Sequence, residues 1–171
     1  MTRIRQITLA LLASTLAVAP LAATAAKQSM FNAHLSGNEV IPARATNATG
    51  QAKFVSTPDE ASLNFRVNVS NIQNVVAAEL RQGPAGSDGP VVATIYGPVA
   101  AGGGKQTGVL SEGSITASNL SGPLAGQPLS ALIDAMRSGT IYVLVRTDDG
   151  QGAPDQKPGD FSTGEIRGQV K

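Results

Sequence analysis

The chain contains no cysteine and a single histidine, His34. Without cysteine there are no disulfide staples, so an oxidising compartment is not being used to hold the fold. A lone histidine with no cysteine or second histidine beside it is a poor start for a metal centre or a general base. Its ordinary reading is an exposed side chain on a strand. No G-x-S-x-G is present, and no serine triad can form without a histidine near a nucleophile elbow. Gly104-Lys105 is followed by Gln106 where a phosphate loop needs Ser or Thr, and the upstream glycine spacing fails. The glycine-rich stretch 97–108 therefore reads as a flexible loop. A strong charge of one sign is missing too: Lys and Arg number 13 against 12 Asp and Glu. That balance excludes a nucleic-acid binder, which needs a basic face.

One long apolar run is present, and it lies at the amino terminus. Arg3 and Arg5 precede an uncharged stretch at 7–21, and small residues follow at 23–26. This is the pattern of a secretory signal peptide, expected to occupy 1–26 and to be removed. The run is shorter than the roughly 20 residues of a spanning helix, and no cysteine is available for a lipid anchor. Residues 27–171 are then one domain, long enough for a real core and not membrane-embedded. Loss of Arg3 and Arg5 leaves 11 basic residues against 12 acidic, a net charge of −1.

The rest of the chain alternates. At 75–96, VVAAELRQGPAGSDGPVVATIY reads as a strand, a Gly/Pro turn and a second strand. Val76, Ala78 and Leu80 make an oily face, and Glu79 and Arg81 a charged one. Residues 29–36 place Phe31, Ala33 and Leu35 on one side, as a half-buried edge strand. Residues 51–57 and 61–70 pair as a hairpin, with Phe54, Leu63, Phe65, Val67 and Val69 inward. A strand is expected at 109–116 and a fully covered one, TIYVLVRT, at 140–147. The last, at 163–171, points Ile166 and Val170 inward and Glu165 and Arg167 outward. One helix is expected at 128–137, from Leu129, Leu132, Ile133 and Met136 on one stripe, with Pro128 at its first position and Gly139 beyond its end. The expected fold is all-β, an antiparallel immunoglobulin-like β-sandwich with one short helix. Phe54, Leu63, Phe65, Val67, Val143, Val145 and Ile166 form its core. A small closed barrel is the second reading.

Five segments together resemble the chordin domain (CHRD) family. They are LSGNEVIPARATNATGQAKF from Leu35, AAELRQGPAGSDGPVV from Ala77, GSITASNL from Gly113, SGTIYVLVRT from Ser138 and GEIRGQV from Gly164. The resemblance implies a secreted, immunoglobulin-like β domain. In animals such domains occur in an extracellular antagonist of growth factors; in bacteria they mostly stand alone without an established activity. The family typically carries His-x-His where this chain has Glu79 and Arg81, and another histidine at Arg146. Such a histidine cluster would look like a metal site, but arginine stays protonated and cannot ligate a metal.

The candidate residues are few. Glu79, Arg81 and Arg146 are expected to form a charge-paired cluster, with a polar ligand site as the functional reading and a structural ion pair as the plainer one. Asp148, Asp149, Asp155 and Asp160 share one loop, where carboxylates can hold calcium. Their spacing matches no standard calcium loop, and a solvated acidic loop is the plainer reading. Asn47, Asn68 and Asn119 lie in glycosylation triplets, which matter only if the source glycosylates. The expectation is an exported, periplasmic or extracellular, non-catalytic binding or structural module. It needs no cofactor and no metal, and its partner is an extracytoplasmic protein or a polar ligand. The alternative is a metal-binding protein or metal-dependent enzyme using Glu79, His34 or the 148–160 loop.

Overall fold

The computed structural model describes residues 28–154 and 156–171. The expected signal peptide and Asp155 lie outside the described residues. The strands are β1 (Met30–Ser36), β2 (Thr49–Ser56), β3 (Leu63–Gln73), β4 (Val75–Gln82), β5 (Val91–Tyr96), β6 (Lys105–Ile115), β7 (Ile141–Thr147) and β8 (Ile166–Gln169), with helix α1 (Leu129–Arg137) before β7. The fold is all-β with one helix, and every strand pairing is antiparallel.

A sandwich needs two sheets, but hydrogen bonding here runs through all eight strands, in the order β5-β4-β7-β8-β1-β2-β3-β6. The joint is β8, which pairs with β7 along its length and meets β1 at Ser36↔Arg167. It lies flush against β1 because residue 168 is glycine: a Cβ there would fall 2.0 Å from the His34 carbonyl oxygen. The sheet curls until its two edges meet, and Ser111 Oγ on β6 donates to Ile95 O on β5 at 2.6 Å. The result is nearly a barrel. β1, expected at an edge, lies between β8 and β2.

Alternation explains the core. Phe31, Ala33 and Leu35 of β1, Phe54 of β2, Leu63 and Val67 of β3, Val143 and Val145 of β7 and Ile166 of β8 are all buried in one cluster. Leu129, Leu132, Ile133 and Met136 of α1 join it. Burial of a side chain of this size is worth about 1.5–3 kcal/mol. Pro128 caps the helix from outside rather than opening it, and Gly139 takes the positive φ of 69° that ends it. Other expectations along the strands need correction. Phe65 is only half-buried, packed against the rim of the core beside Gly113. Val76 is half-buried, because a register shift between Val75 and Ala77 interrupts the alternation. β6 starts at Lys105 rather than near 109. Its pairing with β3 runs through two register shifts and buries only Leu110 and Ile115, so no apolar period marks it.

Candidate functional site

β4, β7 and β8 lie side by side, and their alternate residues turn away from the core. The registers Ala77↔Arg146, Glu79↔Leu144, Arg81↔Tyr142, Leu144↔Arg167 and Tyr142↔Gln169 place a polar set on this outer face. Solvent does not reach all of it, because the 83–90 turn that joins β4 to β5 folds over β7 and β8, where Tyr142 and Arg167 hold it. Val40, from the loop after β1, packs with Tyr142 and Leu144.

Glu79 is the centre of the set. Its Oε2 accepts from Arg81 Nε at 2.9 Å, and its Oε1 lies 3.0 Å from Arg146 Nη2. The side chains are 8 %, 25 % and 31 % exposed for Glu79, Arg81 and Arg146, so the carboxylate is the buried member. Arg81 Nη1 reaches Gly89 O at 3.3 Å and Arg146 Nη1 reaches Ser162 O at 3.4 Å. Burial works against the charge on Arg81, but the hydrogen bond and the charge of Glu79 outweigh it and hold the guanidinium above its ordinary value. The three residues singled out in the sequence therefore do come together. Each carboxylate oxygen of Glu79 is thus bonded to a guanidinium group, the pairing that the planar fork of arginine suits.

Sequence reasoning missed the other half of the cluster. Arg167, read as pointing to solvent, is 2 % exposed. Its guanidinium lies over the Tyr142 ring, 3.7 Å from the centroid, and Nη2 donates to Pro84 O at 3.1 Å and Ser87 O at 2.9 Å. Asp88 Oδ1 stands 3.7 Å from Nη1. Glu165, also read as outward, is fully buried. It accepts from Thr46 Oγ1 at 2.6 Å, Thr147 Oγ1 at 2.7 Å and the Gly159 amide at 2.8 Å. Gln169 Nε2 faces the carbonyls of Gly83, Gly139 and Ile141. The GEIRGQ string thus ties the last strand to four other parts of the chain. Its presence in the resemblance was the signal available for these residues. On the outer face, Arg81, Arg146 and Arg167 outnumber Glu79 and Asp88 by one charge.

His34 stands apart, exposed on β1 opposite Gln51. Asp148, Asp149 and Asp160 gather at one point of the 148–160 loop. Asn119 accepts from the Thr116 amide at 2.8 Å and caps a short turn. A cleft of about 700 Å³, lined largely by neutral polar side chains including Thr46, Asn71, Gln73 and Gln106, opens beside Glu165. No helix among the described residues is long and apolar enough to cross a membrane.

Against known proteins, residues 31–153 match the model of the CHRD domain. The match ends inside the 148–160 loop, and the GEIRGQV segment lies beyond it. No curated protein and no solved structure matches the chain.

Proposed function

The chain belongs to the CHRD domain family, and from that premise we propose that it is a non-catalytic module, exported to the periplasm or cell exterior, that acts by binding or as a structural element. The observation that carries the reading is the state of Glu79. In the position where the family resemblance implies a histidine stands a carboxylate with both oxygens held by arginines, at 2.9 and 3.0 Å. The Glu79–Arg146 pair cross-links β4 to β7, and the carboxylate that a catalyst would need as its base is engaged by two guanidinium groups. Its one surplus positive charge makes an anionic group on a polar ligand the first class to try at Glu79, Arg81 and Arg146. The finer fold reading is an immunoglobulin-like wrapping, in which the two halves of the curled sheet face one another and the loops at their ends are free to bind.

The test has two arms. Mass spectrometry of the chain recovered from the extracytoplasmic fraction should find the amino terminus near Lys27; an intact Met1 on exported protein would refute processing. Affinity capture from the native extracytoplasmic fraction should show saturable retention of a specific partner or ligand. Hydrolytic and redox assays of the same preparation should show no turnover. Turnover that Glu79→Gln abolishes would replace this reading with that of an enzyme.

A further inference from the structure

We propose that Asp148, Asp149 and Asp160 bind one divalent cation of the calcium class, which pins the base of the 148–160 loop. The site is separate from the Glu79 cluster and does not depend on its reading.

The backbone brings the carboxylates together. Thr147, the last residue of β7, closes the loop on itself: its amide donates to Phe161 O at 3.3 Å, and its Oγ1 accepts from the Phe161 amide at 3.0 Å. Asp148 and Asp160 are the neighbours of this clamp, so residues twelve apart in sequence become adjacent in space. Each is fixed further. Asp148 N donates to Asn74 O at 2.9 Å and Asp148 O accepts from Gly102 N at 3.0 Å, while Asp160 N donates to Lys157 O at 2.9 Å. An ion would therefore meet a largely formed site and would not have to order the chain.

One oxygen from each of the three carboxylates lies within 4.8 Å of the others. Oxygens bound to one calcium at about 2.3–2.6 Å can stand up to about 5 Å apart, so a small inward turn of the side chains lets a single ion reach all three. Asp160 points to a ligand independently. It is 2 % exposed, and its Oδ1 is buried without a hydrogen-bond partner among the described residues. A carboxylate in that position is costly unless a cation meets it. Among the described residues the one cationic side chain paired here is Lys157, whose Nζ lies 2.8 Å from Asp149 Oδ2. Three carboxylates against one ammonium leave a charge of −2, which a divalent ion neutralises. Lys157 is 64 % exposed and free to swing away when the ion takes its place. All three donors are hard oxygens, which suits calcium rather than copper or zinc, and calcium accepts irregular geometry more readily than magnesium.

The test is calcium titration of the full chain after EDTA treatment, read by calorimetry and by the melting temperature. The expected result is one calcium per chain, with Kd in about the 10⁻⁴–10⁻³ M range of extracellular modules, and a rise in melting temperature. Asp148→Asn and Asp149→Asn should each weaken binding at least about tenfold. Lys157→Gln should tighten it, because a competitor has gone, and Glu79→Gln should leave it unchanged. Asp160→Asn should also weaken it; should that variant not fold, the partly exposed Asp149 still decides the matter. No binding heat and no melting shift at about 10 mM calcium, well above that range, would overturn the proposal. So would calcium binding of unchanged affinity in Asp148→Asn and Asp149→Asn.

Discussion

The guanidinium of Arg167 lies over the ring of Tyr142, 3.7 Å from its centroid, while its Nη2 donates to two carbonyls of the 83–90 turn. Stack and hydrogen bonds together hold that turn down over β7 and β8. Tyr142 completes the clasp from the other side, since its hydroxyl accepts from the Gly89 amide at 2.9 Å. One hairpin tip is therefore tied to the sheet by a planar cation and by the aromatic ring beneath it.

Lysine in place of Arg167 should break the clasp without removing the charge. An ammonium cannot lie along the ring as a plane, nor serve two carbonyls from a fork. Arg167→Lys should cost about 1.5–3 kcal/mol, the range for hydrogen bonds to a charged group. Urea denaturation should show a lower midpoint with unchanged slope. A loss below about 0.5 kcal/mol, the size of an ordinary surface change, would mean that the clasp adds nothing net.

Two phenylalanines opposite each other in the β2–β3 hairpin should differ in weight. Phe54 and Phe65 are register partners, but Phe54 is fully buried whereas Phe65 is half-buried at the rim. Phe54→Ala should cost about 3–5 kcal/mol, through lost transfer energy and a cavity. Phe65→Ala should cost clearly less, because the rim can collapse and water already meets part of the ring. Equal losses in denaturant would show that the packing of Phe65 is tighter than its exposure suggests.

What the sequence made legible follows from the range of each signal. A period of two tells which side of a strand a residue takes, and it placed Glu79 beside Arg81 and most of the core. It does not tell what covers that side. Arg167 and Glu165 were read as solvent-facing because they alternate with Ile166, yet the 83–90 turn covers the first and the contacts with Thr46, Thr147 and Gly159 enclose the second. Arg146 was placed near Glu79 through the family resemblance, and its contact at 3.0 Å agrees. The single sheet was hidden for a similar reason. It depends on the four residues of β8 reaching β1, a long-range contact permitted by the missing side chain at Gly168. Asp148 and Asp160 meet because Thr147 and Phe161 are paired, which no local pattern announces.

The turn between β2 and β3 should respond to acid. Asp59 is held below its ordinary value, first by the Thr57 hydroxyl and then by the Ala61 amide, which donates to Asp59 Oδ1 at 3.2 Å. A carboxyl with a depressed folded pKa stabilises above its unfolded value, about 3.9, and loses that contribution as pH falls through the folded value. The turn should therefore keep its full support at neutral pH and loosen below about pH 4. In Thr57→Val the Asp59 titration, followed by NMR of the carboxyl carbon, should move up toward the ordinary value. It should stop short of it because the Ala61 amide remains. An unmoved titration would mean that the hydroxyl does not support the charge.

The Glu79 cluster makes a prediction whose order matters more than its size. Removing Glu79 strands two guanidinium groups beside one another, whereas removing either arginine leaves Glu79 paired with the other. Glu79→Ala should therefore be the worst of the three single changes. A fully buried pair costs about 3–5 kcal/mol when one partner is lost. Arg81 and Arg146 are 25 % and 31 % exposed, so water repays part of the loss. Glu79→Ala should then cost roughly 2–3 kcal/mol, below that range, and each arginine to alanine about 1 kcal/mol. The control is a triple change, Glu79→Leu with Arg81→Met and Arg146→Met, which strands no charge. If desolvation of charge is what makes Glu79 matter, the triple variant should be more stable than Glu79→Ala alone, although it removes more hydrogen bonds. Chemical denaturation of all five proteins, wild type included, decides the order. Should Arg146→Ala prove as damaging as Glu79→Ala, the carboxylate is not the centre of the cluster, and Arg146 holds β7 through its contact with the Ser162 carbonyl instead.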